Sequence, residues 1–592
     1  MLKRKGKRDR DVVEATFLQL MIAQLMSFMA QIVAQVVDSA SISRFLSAED
    51  LAAFSFSSSI TSLVMMVFGL LMTGVSIYSA AVAREKDPKR KTACISTALV
   101  SAFTFGIVMT ALYFGAARRL AVLSGAPDGL ADKTAAYIRG YSVGIAPYLI
   151  FGAAVPFTII EGKRGIMKLA FTAMAIVDIV LDLLNGLFLR GGLTGMGLAT
   201  AVSEYAALLV VLIGYFKGSR STAGERSFRF RASGFTPGDL KEIFSYGYPY
   251  VFKQLLVTVL IFAYNNWITA RYGTSVLSSY AATYSAVSFA WCIGSAIGNA
   301  TASLTGLYAN ENDADSLHRL IKVSVSYSVT INGIVMLIFL LLSRPIMGIF
   351  LTNRGESFTL ASAGLALISL SMVIRSINMA VRSYYQAMKM NRYNILMTVL
   401  DTMACEVLAL VVLTMTVGVY GIWLSYPVGE TAALWIMTVY MSRKSGTGLS
   451  FMALFPFRES KRVLARLTAV LKSEDDVMAW SVKVYRFCLD NGADAKTAGK
   501  ASLAVEEIGK NIMEHGFADG KKHAVDFLIK KTEDAWILRF RDDCRAFDPV
   551  KYLEVTDETG DRLGLKLVSG WNDEFSYANV MGVNHVVISY RG

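Results

Sequence analysis

Residues 192–205 read GLTGMGLATAVSEY, and residues 418–431 read GVYGIWLSYPVGET. Gly192 and Gly418, Gly195 and Gly421, Leu198 and Leu424, and Glu204 and Glu430 match at one offset, 226. The same offset pairs Lys163 with Lys389 and Phe54 with Tyr280. A constant offset over separate segments is the mark of a duplicated unit. Small residues recur in helix interfaces without any duplication, but they do not keep one register over three segments. Both copies sit in apolar sequence, so the duplicated unit is a set of membrane helices.

Composition agrees. The chain is 54% hydrophobic and 18% charged, with a mean hydropathy of +0.46, more apolar and less charged than soluble domains. Residues 450–592 carry 21 basic and 22 acidic side chains. The rest of the 59 basic and 46 acidic residues lie before them, at a net +14. A soluble tail therefore follows a greasy, basic body.

Spanning a bilayer takes about 20 apolar residues. Such windows lie near 16–38, 51–83, 93–114, 137–159, 166–188, 196–216, 246–269, 276–306, 320–343, 359–386, 395–416 and 419–441. The expected fold class is an all-α polytopic membrane protein of twelve transmembrane helices in two six-helix lobes, plus an α+β tail. The expected divisions are a first lobe over 1–216, an inter-lobe loop over 217–245, a second lobe over 246–444, a linker over 445–460 and a tail domain over 461–592. Basic clusters at 3–10, 84–91, 162–168, 217–241, 318–322 and 389–392 fall on one side of the spans. The positive-inside rule then predicts a multi-pass plasma-membrane protein with both termini in the cytoplasm, and the basic surplus needs no nucleic-acid partner. Five scattered cysteines without a CxxC pair predict neither a disulfide framework nor a zinc site.

Ionisable groups inside a membrane are costly and mark function. Gln24, Gln31, Gln35 and Asp38 share one helix face, as do Asp178, Asp182 and Asn185, and Thr200 and Glu204 lie one turn apart. Carboxylates in such a place hold protons or a cation. The second half mixes Lys253, Arg375 and Arg382 with Asp401, Glu406 and Glu430, a set able to pair internally. Lys253 is expected to snorkel.

In the tail, ASLAVEEIGKNIMEHGF (501–517) is an amphipathic helix. Glu507 and Asn511 share a face, and His515 follows one turn on. An amide oxygen suits a magnesium ion carried by a nucleotide, and a neighbouring carboxylate suits the orientation or deprotonation of water. RDDCRAFDP (541–549) follows a strand, where a carboxylate meets an exocyclic amine. GDRLGL (560–565) opens a helix whose backbone N–H groups face phosphate. No GxxxxGK[ST] loop is present, so an ABC-type motor is excluded.

Residues 12–445 resemble the multidrug and toxic compound extrusion (MATE) transporters. The resemblance rests on VDSASISRFLSAEDLAA, VDIVLDLLNGLF, GLTGMGLATAVSEY and LKEIFSYGYPYVFKQ. It implies alternating-access export of organic cations, drugs or amphiphilic metabolites in exchange for H+ or Na+. The implied cation site comprises Asp38, Asp182 and Thr200, with Asp178 where the family has Asn, and Glu204 beside them. The tail resembles GHKL-type ATPases, in particular anti-sigma-factor serine kinases. That resemblance implies ATP and Mg2+, with Glu507 as base, Asn511 on magnesium, Asp542 on adenine, and Gly564 in the phosphate lid. Cys544 and Arg562 stand where that family has glycines. It also implies a cytoplasmic protein partner of the anti-anti-sigma kind. The alternative reading is a membrane-anchored serine/threonine kinase whose transporter-like part senses a ligand.

Overall fold

The computed structural model describes residues 12–46, 48–83, 87–124, 126–161, 163–217, 230–350, 355–446, 448–457, 463–517, 523, 525–554, 563–570, 572–580 and 582–591; for 30–40 it gives the backbone alone.

Residues 12–445 are almost wholly helical. Seven helices are long and apolar enough to cross a membrane, and two bent pairs bring the number to nine among the described residues. The bent pairs are Asp128–Ser142 with Ile145–Ile160, at 45°, and Glu356–Ser369 with Met372–Ala387, at 46°. They lie at the offset of the sequence repeat, within a residue or two. Gly192 and Gly418, which open the two copies of the quoted motif, both have positive φ, 59° and 76°. That left-handed conformation favours glycine. The duplication is therefore visible in backbone geometry as well as in letters.

The other expected windows fall on the helices Val12–Phe45, Arg164–Leu184 and Gly421–Ser445. Of these, Val12–Met26 is an apolar helix short of a full span among the described residues, and the other two are more polar, carrying Asp178 with Asp182, and Glu430. Residues 246–306 form two helices that meet at Gly273, whose φ of 82° breaks the run.

The tail builds a five-stranded antiparallel sheet: β1 (Val463–Leu471), β2 (Val525–Thr532), β3 (Ala535–Asp542), β4 (Glu574–Val580) and β5 (Val583–Arg591), in the order β1-β2-β3-β5-β4. The helices Glu474–Asp490 and Ala495–Asn511 start at serine and aspartate caps: Ser473 accepts from the Asp476 N–H and Asp494 from the Thr497 N–H. They cover one face of the sheet. Leu471, Val484, Ala504, Ile508, Phe527 and Phe540 are buried between the two layers.

Two features depart from the sequence reading. β4, SYANV with its flanks, lacks the β-branched alternation that would have marked it. The stretch expected to be a plain linker is partly built into the bundle. Leu454 and Phe455 are buried with the membrane helices, and the Tyr384 hydroxyl donates to the Pro456 carbonyl at 3.0 Å. Its phenylalanines made it sticky rather than loose.

Candidate functional site

In the first half, Asp178 and Asp182 lie one turn apart on Arg164–Leu184, which packs along Gly192–Lys217. Both are buried, as is Glu204 on the second helix. Glu204 and Asp178 are close enough to act on each other electrostatically. The Glu204 carboxylate presses on the backbone at Gly144, where a Cβ would come within 2.0 Å of it. That glycine lies at the 45° bend, so the carboxylate is seated against the hinge of its own half.

The neighbours are more ordinary. Asn185 accepts from the Gly191 N–H at 2.9 Å and donates to the Gly192 carbonyl at 3.0 Å, tying the turn between the helices. Thr200 is half-buried and bonds back to the Met196 carbonyl at 3.4 Å. Gln24 is buried. The side chains of Gln31, Gln35 and Asp38 lie outside the described residues.

The second half is internally paired. Arg375 lies 3.4 Å from Glu406 and 3.0 Å from Glu430, with its guanidinium 3.8 Å over the Trp291 ring. Arg382 holds Asp401 at 2.6 Å. Asn378 donates to Glu430. Lys253 does not snorkel. It lines a cavity between the two halves, with Arg382.

In the tail, a cavity of about 300 Å3 opens between the helix carrying Asn511 and the end of β3. Asn511, His515, Asp542, Cys544 and Asn584 line it with apolar side chains such as Ile508, Phe547 and Val586. Asp542 is buried at its floor. One of its oxygens, Oδ1, accepts from Asn584 at 2.7 Å and from the Cys544 N–H at 3.1 Å. Burial outweighs these bonds and pushes its carboxyl up to about 6. Asn584, on β5, was missed in the sequence, because nothing local marks a strand amide as a partner of a residue 42 positions earlier.

Glu507 is half-buried and lies 3.4 Å from the Asn511 amide nitrogen. It stands against Gly564: a Cβ there would be 2.1 Å from the Glu507 carboxyl carbon. The sequence-predicted Glu507, Asn511, His515, Asp542 and Gly564 thus gather at one end of the tail. Arg562 lies outside the described residues. Beyond Asn511 the helix widens into a π turn, Ile512–Gly516, which carries His515 to the rim.

The opposite face of the sheet is docked. Arg541, next to Asp542, pairs with Glu311 and lies 2.8 Å from Asp313 and 2.6 Å from the Ser316 hydroxyl. Its guanidinium also sits 4.7 Å over the Tyr308 ring. Arg539 pairs with Asp313, Arg466 with Asp315 at 2.6 Å, and Arg319 with Asp526 at 3.5 Å. Burial would raise the Asp313 carboxyl, but Arg539 and the Ser316 bonds hold it below its ordinary value. The acidic turn 311–315 joins two membrane helices, so the tail is clamped to the body by ion pairs.

With this geometry in view, a model of the MatE family matches residues 24–184 and again 249–414. The chain belongs to the MatE family and is a multi-pass membrane transporter. Solved structures agree on the fold. An outward-facing multidrug resistance MATE transporter of the MOP superfamily superposes with a TM-score of 0.67 at 18% identity, over 76% of this chain and 99% of that one. A MATE structure in the bent conformation gives 0.67 at 18%, over 75% and 96%. A MOP superfamily transporter from Pyrococcus furiosus Vc1 (DSM3638), described as having a pocket of reverse polarity that suggests a different function, gives 0.66 at 17%, over 76% and 100%. No curated protein matches the sequence. The family match ends at residue 414, so the tail is read from its own geometry.

Proposed function

We propose that the chain is an ion-driven exporter of small compounds whose tail binds ATP and regulates it. The supporting observation for ion coupling is the burial of Asp178, Asp182 and Glu204, the last of them seated against the bend at Gly144. Protonation or Na+ binding there would change the charge beside a hinge, and so bias the two access states. In vesicles holding the full chain, export of a dye panel should follow one imposed gradient, Na+ or H+, and stop when it is collapsed. Export indifferent to both gradients would remove ion coupling from the reading.

The tail's donor set fits an adenine nucleotide. Asp542 at the cavity floor is placed to accept from an exocyclic amine, and apolar walls suit a ring. Asn511 is placed to meet the magnesium ion that travels with the phosphates, with Glu507 beside it. The bound nucleotide would supply phosphate charge to this rim; the chain supplies orientation and exclusion of water. A chain ending at residue 448 should still transport but lose its response to ATP. Loss of all transport would instead make the tail part of the pump.

Nucleotide affinity should depend on pH, with a definite sign. Asp542 titrates near 6, above its unfolded value, so between about 4 and 6 the folded tail holds an extra proton and its ionisation opposes folding as pH rises. An amine donor needs the ionised form. Binding of a fluorescent ATP analogue should therefore be full above pH 7 and about tenfold weaker at pH 5. Affinity that stays flat over that range would take Asp542 out of the base contact.

A further inference from the structure

Between the two halves lies a cavity of about 180 Å3, walled by Phe28 and Thr73 on one side and by Lys253, Asn299, Arg382 and Asn394 on the other. None of the described residues lining it is a carboxylate. Lys253 lies near the middle of its helix, where an ammonium costs several kcal/mol unless something compensates it. Among the described residues no carboxylate lies within ion-pair distance of it. Of the charged groups acting on it, Arg382 and Arg375 act more strongly than Asp401 and Glu430, so the field at this wall of the cavity is net positive.

Arg382 reinforces this. Its bonds to Asp401, at 2.7 Å, and to Thr402, at 3.2 Å, both come from Nη1. Among the described residues Nε and Nη2 are unspent, the two-pronged edge that matches a carboxylate or phosphate. The buried Nδ2 of Asn394 also lacks an acceptor among the described residues. Lys253, Arg382 and Asn394 thus bring donors to the wall of a space whose described lining residues offer neutral oxygens and no carboxylate.

We infer that this cavity seats an anionic group of the cargo: the exported compound is a small carboxylate or phosphate ester, held by Lys253, the free edge of Arg382 and the amide of Asn394. This rests on the exporter reading and turns its cargo from cation to anion. The volume is below that of drug-sized pockets, about 300–1,000 Å3, so it takes a head group rather than a whole amphiphile.

The test uses the purified full chain with phenylphosphate and its cationic counterpart, phenyltrimethylammonium. Phenylphosphate should raise the melting temperature, and phenyltrimethylammonium should not. Phenylphosphate affinity should fall about tenfold or more in K253M and in N394D, and hold in K253R. Stabilisation by the cation alone, or phenylphosphate affinity unchanged in both K253M and N394D, would overturn the proposal. Competition by added phosphatidate would assign the natural anion to a lipid head group, and its absence to a soluble compound. In vesicles, Lys253-dependent phenylphosphate binding without gradient-driven export would keep the site and sink the exporter. Export of the cation, untouched by K253M, would keep the exporter and sink the site.

Discussion

Asp182→Asn is expected to leave the protein folded and to reduce gradient-driven export by on the order of a hundredfold. The two side chains are isosteric, so packing is kept, and an amide in place of a buried carboxylate removes a charge cost rather than adding one. What it removes is the ability to take up a proton or cation. A hundredfold loss corresponds to about 2.8 kcal/mol of coupling free energy. Binding of cargo, read by thermal shift, should survive, because Asp182 does not line the cavity that holds Lys253. Full gradient-driven export by D182N would remove this residue from the coupling step. Asp178→Asn should have a like effect if Glu204, which acts on Asp178 electrostatically, shares the same ion.

The second large effect is expected at the clamp. Arg541→Ala deletes a buried guanidinium that satisfies Glu311, Asp313 and Ser316 together. Two acidic groups are then left buried with Arg539 as their remaining close arginine. Losing one partner of a buried charge network costs about 3–5 kcal/mol, enough to undock the tail. The sheet has its own core, so it should stay folded while it lets go. Hydrogen exchange would show this as new exposure of 311–316, without loss of protection in Ala495–Asn511. Unchanged exchange at 311–316 in R541A would refute the clamp. Acid should mimic the variant. Asp313 titrates below its ordinary value, so its contribution is complete above about pH 4 and lost as pH falls through the lower folded value.

Much of this was legible. The offset of 226 announced the two halves, and glycine at 192 and 418 was needed for the left-handed turns found there. Spacing put Glu507 and Asn511 on one helix face and Asp542 at a strand end, since helical periodicity and strand ends are local, and the structure brings the three to one end of the tail. The misses share one cause. In β2 and β3, alternation puts Asp526 with Lys530 and Arg539 with Arg541 on one side of each strand, and all four are buried. Period-2 patterning says which residues share a side, not what covers it. The cover is an acidic turn more than 200 residues earlier. Lys253 was read as a snorkelling lysine for the same reason: its surroundings come from helices far along the chain. Likewise, Phe451–Phe457 gave no periodic signal, and its anchoring is purely tertiary.

Arg541 and Asp542 are adjacent, and adjacent strand residues point to opposite sides. One grips the membrane body, the other floors the tail's cavity. No third residue stands between the two duties, so a shift of that strand moves both at once. Selection on either duty then constrains the other: a chain cannot drift toward a different ligand in the tail without renegotiating its hold on the turn at 311–316. Relatives carrying such tails should therefore change these two patches together or not at all.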